Sequence, residues 1–334
     1  ADPSAENDAV AVQDSAGNDV GSINLSSGVV ADGYIRGAQI YLDGPEGLIE
    51  LMGVVTDSFG NFFLPLGINP QGYALVAKGG VNIDTGLPNV ALLKAPAGST
   101  TVNPITTLVQ AVVDQAREKG QSVDAQTASS NVAKSLGLLL PEGQSLTSYD
   151  PLSAQDEYSV AAQKVAAQLA TLTYLASSGA ADVQIASDQV LSNLAAIVLN
   201  NSANTIQSPI SLSDGLVLSQ ALSGLDVSQA TQSTLLDANA AIGAANSISG
   251  ISSAQSQFLD NLAPSAPLSL TVDALTKDST PLVQLELNVS STDGQAVVEG
   301  DTVVLFDGAV DVGRQAGLHA THQHQHLARV GAAR

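Results

Sequence analysis

The sequence predicts a multidomain α+β protein: an N-terminal antiparallel β-sandwich, a central all-α helical domain and a partial C-terminal β module. Three observations predict it. Up to about residue 98 the apolar residues sit in short, often alternating runs broken by Gly, Asn and Pro, which suits strands. From Pro104 to about residue 262 they recur at spacings of three and four, which suits helices. At Pro264-Ser265-Ala266-Pro267 a proline-rich linker intervenes, and beyond it a strand pattern resumes. The expected parts are 1–22, a mobile start; 23–98, the sandwich; 99–263, the helical domain; 264–313, the partial β module; and 314–334, a tail.

The strands follow in order. Within 1–22, rich in Ala, Asp, Asn, Ser and Gly, the patch Ala9-Val10-Ala11-Val12 suits an edge strand. Strand signals then fall at 28–30, 33–37, 38–43, 53–57, 62–64, 73–77 and 90–93, with Pro65 closing one of them. Between 57 and 62, Asp57 can accept from the N–H groups of the turn, Gly60 supplies a positive φ and Phe62 re-enters the core. Short strands at this regular spacing argue for a small antiparallel sandwich.

The change of period falls at Asn103, a good N-cap, with Pro104 at N1 where its missing N–H costs nothing. A helix is expected over 104–119, stopped by Gly120, and a second over 124–136 with Gly137 beyond its end. A long helix should follow Asp150-Pro151 and run to Gly179, and a fourth should cover 181–200. Three shorter ones are expected near 212–222, 227–245 and 252–262. These helices are rich in Ala and Ser and nearly free of aromatics, which favours close axes, thin cores and a rigid spacer over a deep pocket.

Composition excludes several classes of function. A net charge of -21 repels nucleic acid and anionic lipid. No apolar run approaches the roughly 20 residues of a membrane span, so no membrane insertion is expected. The absence of Cys and the opening Ala1-Asp2-Pro3-Ser4, with no basic and then apolar leader, suit a mature secreted protein of a bacterium. No His precedes His319, so Ser-His-Asp and Cys-His chemistry is excluded before it. Asp150, Asp156 and Glu157 cluster where a helix starts, and acids favour a first turn without any catalysis. The chain is therefore expected not to be an enzyme.

The run Gly37-Ala38-Gln39-Ile40-Tyr41-Leu42-Asp43, followed by Thr56-Asp57-Ser58-Phe59-Gly60-Asn61-Phe62, resembles the prealbumin-like β-sandwich repeats of bacterial surface proteins, of the carboxypeptidase-regulatory-like and serine-aspartate-repeat B types. Calcium-binding members carry a loop after the first motif, where this chain has Asp43-Gly44-Pro45-Glu46-Gly47-Leu48-Ile49-Glu50. Asp43, Glu46, Glu50 and Asp57 are thus the candidate Ca²⁺ ligands. The competing reading is a solvated hairpin, because Ca²⁺ takes about six or more oxygens and the loop offers three carboxylates.

Three further runs are similar to a β-to-α module of large multi-repeat bacterial exoproteins: Gly79-Gly80-Val81-Asn82-Ile83-Asp84-Thr85-Gly86, Ala95-Pro96-Ala97-Gly98-Ser99 and Asn103-Pro104-Ile105-Thr106-Thr107-Leu108. Past the linker, Asp293-Gly294 and then Val298-Glu299-Gly300-Asp301-Thr302-Val303-Val304-Leu305-Phe306-Asp307-Gly308 resemble the start of a bacterial immunoglobulin-like repeat, cut short. After Gly313 all four histidines, His319, His322, His324 and His326, fall within eight residues, beside Arg314, Arg329 and Arg334. They offer a metal-site reading, against which stands an out-of-frame or appended tail. Together the resemblances imply an extracellular, adhesin-like bacterial surface protein that attaches through a protein or glycan on a host or cell surface. The alternatives are a soluble secreted protein that captures a small molecule or glycan between sandwich and helices, and an exported hydrolase.

Overall fold

The change from strand to helix is fixed by side-chain caps. The Asn103 side chain accepts from the Thr106 N–H at 2.8 Å, and the Thr106 hydroxyl accepts from the Asn103 N–H at 2.8 Å. This reciprocal capping box satisfies two donors that the first helical turn leaves open. The computed structural model describes residues 27–64, 72–154, 156–204 and 208–259, together with strand backbones in 9–24 and 269–327. The chain divides into two compact units, Ala1–Leu259 and Asp260–Arg334.

In the first unit, β1 (Ala9–Gln13) pairs antiparallel with β2 (Asp19–Asn24). Then come β3 (Ser27–Val30), β4 (Ile35–Arg36), β5 (Gln39–Gly44), β6 (Gly47–Val55), β7 (Asn61–Phe63), β8 (Ala74–Lys78), β9 (Val81–Asn82), β10 (Leu93–Ala95) and β11 (Thr101–Val102). They form a four-stranded sheet in the order β10-β8-β5-β6, a three-stranded sheet in the order β11-β3-β7, and the pair β4-β9. Inward residues of both larger sheets, among them Val30, Ile40, Leu42, Phe62, Leu75 and Val102, share one buried core. Alternation along β5 buries Ile40 and Leu42 and leaves Tyr41 and Asp43 on the other face.

Two features depart from the sequence reading. β11 runs parallel to β3, where antiparallel strands alone are expected. The Val29 N–H donates to the Thr100 carbonyl and the Ala31 N–H to that of Val102, each at 2.9 Å, so the returning chain enters alongside β3 and leads straight into the first helix. β6 begins at Gly47 rather than near residue 53, because Pro45 and Glu46 make a two-residue turn with Gly44 opposite Gly47. β6 lies at the sheet edge and exposes Leu48, Ile49 and Met52, so no alternation marks its start as a strand.

Among the described residues there are eight helices: α1 (Pro104–Glu118), α2 (Ala125–Ser135), α3 (Pro151–Ala154), α4 (Ser159–Ser177), α5 (Val183–Ser202), α6 (Gly215–Ala221), α7 (Gln229–Ala244) and α8 (Ile248–Leu259). The long helix expected after Pro151 is two, α3 and α4. Asp156 breaks it: its Oδ1 accepts from the N–H groups of Tyr158 and Ser159 and from the hydroxyls of Ser159 and Tyr149, an arrangement that starts a new helix. Leu108, Val112, Leu169, Leu172, Leu194 and Leu235 belong to one continuous helical core, and Ala167, Ile242 and Ile251 to a smaller one.

Although the sequence places a boundary at 98/99, the strands and helices on its two sides lie in one unit. The Thr106 hydroxyl donates to the Lys94 carbonyl at 2.8 Å, and the Lys94 N–H donates to the Thr107 hydroxyl at 2.9 Å. Further along, the Leu92 N–H donates to the Gln184 side chain at 2.9 Å, and the Tyr34 hydroxyl donates to Asp150 at 3.0 Å.

In the second unit, β12 (Ser269–Thr271) pairs with β13 (Asn288–Ser290), β14 (Thr302–Asp307) with β15 (Val310–Gly317), and β16 (His319–Ala320) with β17 (His326–Leu327). β15 crosses residue 314, where the tail was expected to begin. Pro65, the 264–267 linker, the 293–294 and 298–301 motif residues, His322, His324, Arg329 and Arg334 lie outside the described residues, as does most of the expected mobile start.

Candidate functional site

The four expected calcium ligands are spread along two turns. Asp43 is the next-to-last residue of β5, Glu46 stands exposed in the two-residue turn, and Glu50 lies on β6 opposite Tyr41. Asp57 is committed to its own turn: its Oδ1 accepts from the N–H groups of Phe59 and Asn61, both at 2.8 Å, and its Oδ2 from the Asn61 amide at 3.2 Å. Among the described residues, no three carboxylate, imidazole or thiol groups gather to hold an ion.

Asp43 instead faces a helix. With Tyr73 near the start of β8 and with Gln110, Asp114 and Arg117 of α1, it lines a cavity of about 480 Å³ at the seam between strands and helices. This volume falls within the roughly 300–1,000 Å³ typical of small-ligand sites. The helical spacing of 110, 114 and 117 puts three polar side chains on one face. The Gln110 amide donates to Asp114 Oδ1 at 2.9 Å, and an Arg117 guanidinium nitrogen donates to the same oxygen at 3.1 Å. Burial, opposed by Gln110, Arg117 and Lys94 and reinforced by Asp43, holds the Asp114 carboxyl above its ordinary range. Of these residues the sequence singled out Asp43 alone, as a calcium candidate, and Tyr73, Gln110, Asp114 and Arg117 were not legible as a site. A signal existed in the i, i+4 and i, i+3 spacing of Gln110, Asp114 and Arg117, but it reads equally as a solvated face.

A second, narrower cavity of about 60 Å³ lies between residues 82–93 and helices α1, α4, α5 and α8. Its walls are largely apolar, with Leu87, Val90, Leu169, Leu191 and Leu259, and it has room for a few waters or one small apolar group. Asp32 lines its polar end, 9% exposed, with Oδ1 accepting no hydrogen bond among the described residues. Burial first, then Asp84, pushes the Asp32 carboxyl up to about 7. The side chain of Asn82 steadies the surrounding loop, since its Oδ1 accepts from the N–H groups of Asp84 and Thr85 and its amide donates to the Asp32 carbonyl.

The acid cluster at the start of α3 and α4 is structural. Asp150 Oδ1 accepts from the Leu152 N–H at 2.9 Å, and its Oδ2 from the Tyr34 hydroxyl. Burial works against ionisation of Asp156, yet the donors from Tyr149, Tyr158 and Ser159 hold its carboxyl below the ordinary range. No helix among the described residues is long and apolar enough to cross a membrane. No family model, no curated protein and no solved structure matches this chain.

Proposed function

We propose that this chain is a non-enzymatic, extracellular module of an adhesin-like bacterial surface protein, attaching through a protein or glycan on a host or cell surface. On this reading its two sheets are a prealbumin-like sandwich, and residues 264–313 begin an immunoglobulin-like repeat. The observation that carries the reading is the joint between strands and helices. The motif residues that resemble the β-to-α module of large exoproteins are the ones that build this joint: Asn82 ties its loop, the Ser99 hydroxyl donates to the Pro96 carbonyl at 2.6 Å, and Asn103, Thr106 and Thr107 cap α1 and bind Lys94. A joint held by buried and half-buried, charge-free hydrogen bonds transmits orientation from one part to the next, which suits a module that presents a surface at a distance.

Attachment is tested by immobilising the purified chain and panning it against bacterial and host cells, extracellular proteins and a glycan panel. Saturable binding to one class of surface supports the reading. A chain that binds no surface yet gains thermal stability from a small molecule overturns it in favour of a soluble carrier, the alternative that the seam cavity of about 480 Å³ favours.

A further inference from the structure

We infer that the cavity at the seam between β5, β8 and α1 is a subsite for one neutral sugar unit, recognised by Asp43, Tyr73, Asp114 and Arg117. This rests on the attachment reading only in the biological use of the ligand, since the chemistry comes from the cavity itself. Its volume of about 480 Å³ suits a monosaccharide with its first linkage.

The wall offers acceptors and donors side by side. Both donors to Asp114, from Gln110 and Arg117, end on Oδ1, and among the described residues no hydrogen bond ends on Oδ2. The Asp43 carboxylate likewise accepts none among the described residues, yet it lines the same cavity closely enough to raise the Asp114 carboxyl. Among the described residues three carboxylate oxygens thus carry no hydrogen bond, and these are the acceptors offered to ligand hydroxyls. On the donor side, the Arg117 side chain is 73% exposed, with one nitrogen committed to Asp114 and further N–H groups of its planar fork open. Tyr73, 37% exposed, adds a phenol hydroxyl and a ring against which the C–H face of a pyranose can pack.

Charge selects among ligands. An anion would meet Asp43 and Asp114, in a chain whose net charge is -21. A simple amine would meet the fixed guanidinium of Arg117 in the same wall. A metal ion would find two carboxylates, and no three such ligands gather there. A polyol both donates to the carboxylates and accepts from Arg117 and Tyr73 without adding charge, and it can bind with Asp114 in either protonation state.

The test uses the intact chain and a panel of methyl glycosides, including glucoside, galactoside, mannoside and N-acetylglucosaminide, by calorimetry and saturation-transfer NMR. At least one should bind with a Kd on the order of 1 mM or tighter. Tyr73→Ala and Arg117→Ala, both at exposed side chains, and Asp114→Asn should each weaken it about tenfold or more, while Asp32→Asn leaves it unchanged. If Asp114→Asn fails to fold, the two exposed variants decide. No binding by any glycoside overturns the site, as does binding that survives Tyr73→Ala and Arg117→Ala, or preferential binding of n-butylamine or Ca²⁺ at these residues. Cell attachment measured in parallel separates the two proposals. Attachment without binding of any glycoside removes this site and leaves the attachment reading. Glycoside binding without attachment keeps the site and removes that reading.

Discussion

Replacing Asp32 by Asn should flatten the pH dependence of stability. Asp32 lies in the turn between β3 and β4, 9% exposed, and its carboxyl is pushed from 3.8 to about 7 by burial and then by Asp84. Between roughly pH 4 and pH 7 the folded chain keeps this proton while the unfolded chain has lost it, so the native state binds more protons and stability falls as pH rises through that window. The contribution is fully present below about pH 4 and gone above about pH 7. At full strength it amounts to about 4 kcal/mol. Local relaxation around a buried charge reduces this, and a difference of about 2–4 kcal/mol is the expectation. The assay is urea unfolding of the parent chain and Asp32→Asn at pH 5 and pH 8 and constant ionic strength. Other carboxylates titrate alike in both proteins, so the difference between the two curves isolates Asp32. These two conditions span about two of the roughly three pH units of the window, so the parent should lose about 1–3 kcal/mol relative to the variant between pH 5 and pH 8. Parallel profiles would refute the placement of a buried, protonated carboxyl at this turn.

Gly60→Val should destabilise the β part by about 3 kcal/mol or more, read as a lower thermal midpoint. Gly60 has φ 76°, and a Cβ there would stand 2.5 Å from the Val30 carbonyl oxygen. Thr106→Ala removes one half of the capping box and the bond to Lys94, and should cost about 1–3 kcal/mol in denaturant unfolding; a loss below about 0.5 kcal/mol would mean the joint is held elsewhere. A chain ending at Leu259 should keep the parent's helical circular dichroism and a cooperative melt, because the first compact unit ends there. Ca²⁺ and Na⁺ at matched ionic strength should shift the melting temperature nearly equally, because Asp57 is committed to its own turn; a stoichiometric Ca²⁺ titration abolished by Asp43→Ala would reverse that expectation.

What the sequence made legible was what local chemistry decides. Asn103, Pro104 and Gly120 announced α1 because caps act within one turn, and Asp124 and Gly137 did the same for α2. The Asp57–Gly60 turn was readable because a single side chain closes it. What remained hidden depends on partners far along the chain. β11 is two residues long, and its parallel pairing with β3 spans some seventy residues of sequence. The edge strand β6 carries exposed Leu48, Ile49 and Met52, so its period is masked. Asp156 was readable as an acid near a helix start, but not the break it marks, because nothing in its spacing shows that the helix begun at Pro151 stops at Ala154 and a second starts at Ser159. The cavity of Asp43, Tyr73 and Asp114 joins three segments, and no spacing within one of them discloses the others.

The parallel pairing of β3 with β11 also settles how this fold meets a pull. Tension entering at Ser27 and leaving through Val102 into α1 runs along two neighbouring strands in opposite senses. The bonds from Val29 to Thr100 and from Ala31 to Val102 lie across that line, so they are loaded together in shear and cannot be peeled one after another. Rupture under load is governed by the rate of unfolding rather than by its equilibrium. The strand pair that closes the β part therefore works as a clamp on the path between the amino-terminal side of the chain and the helices.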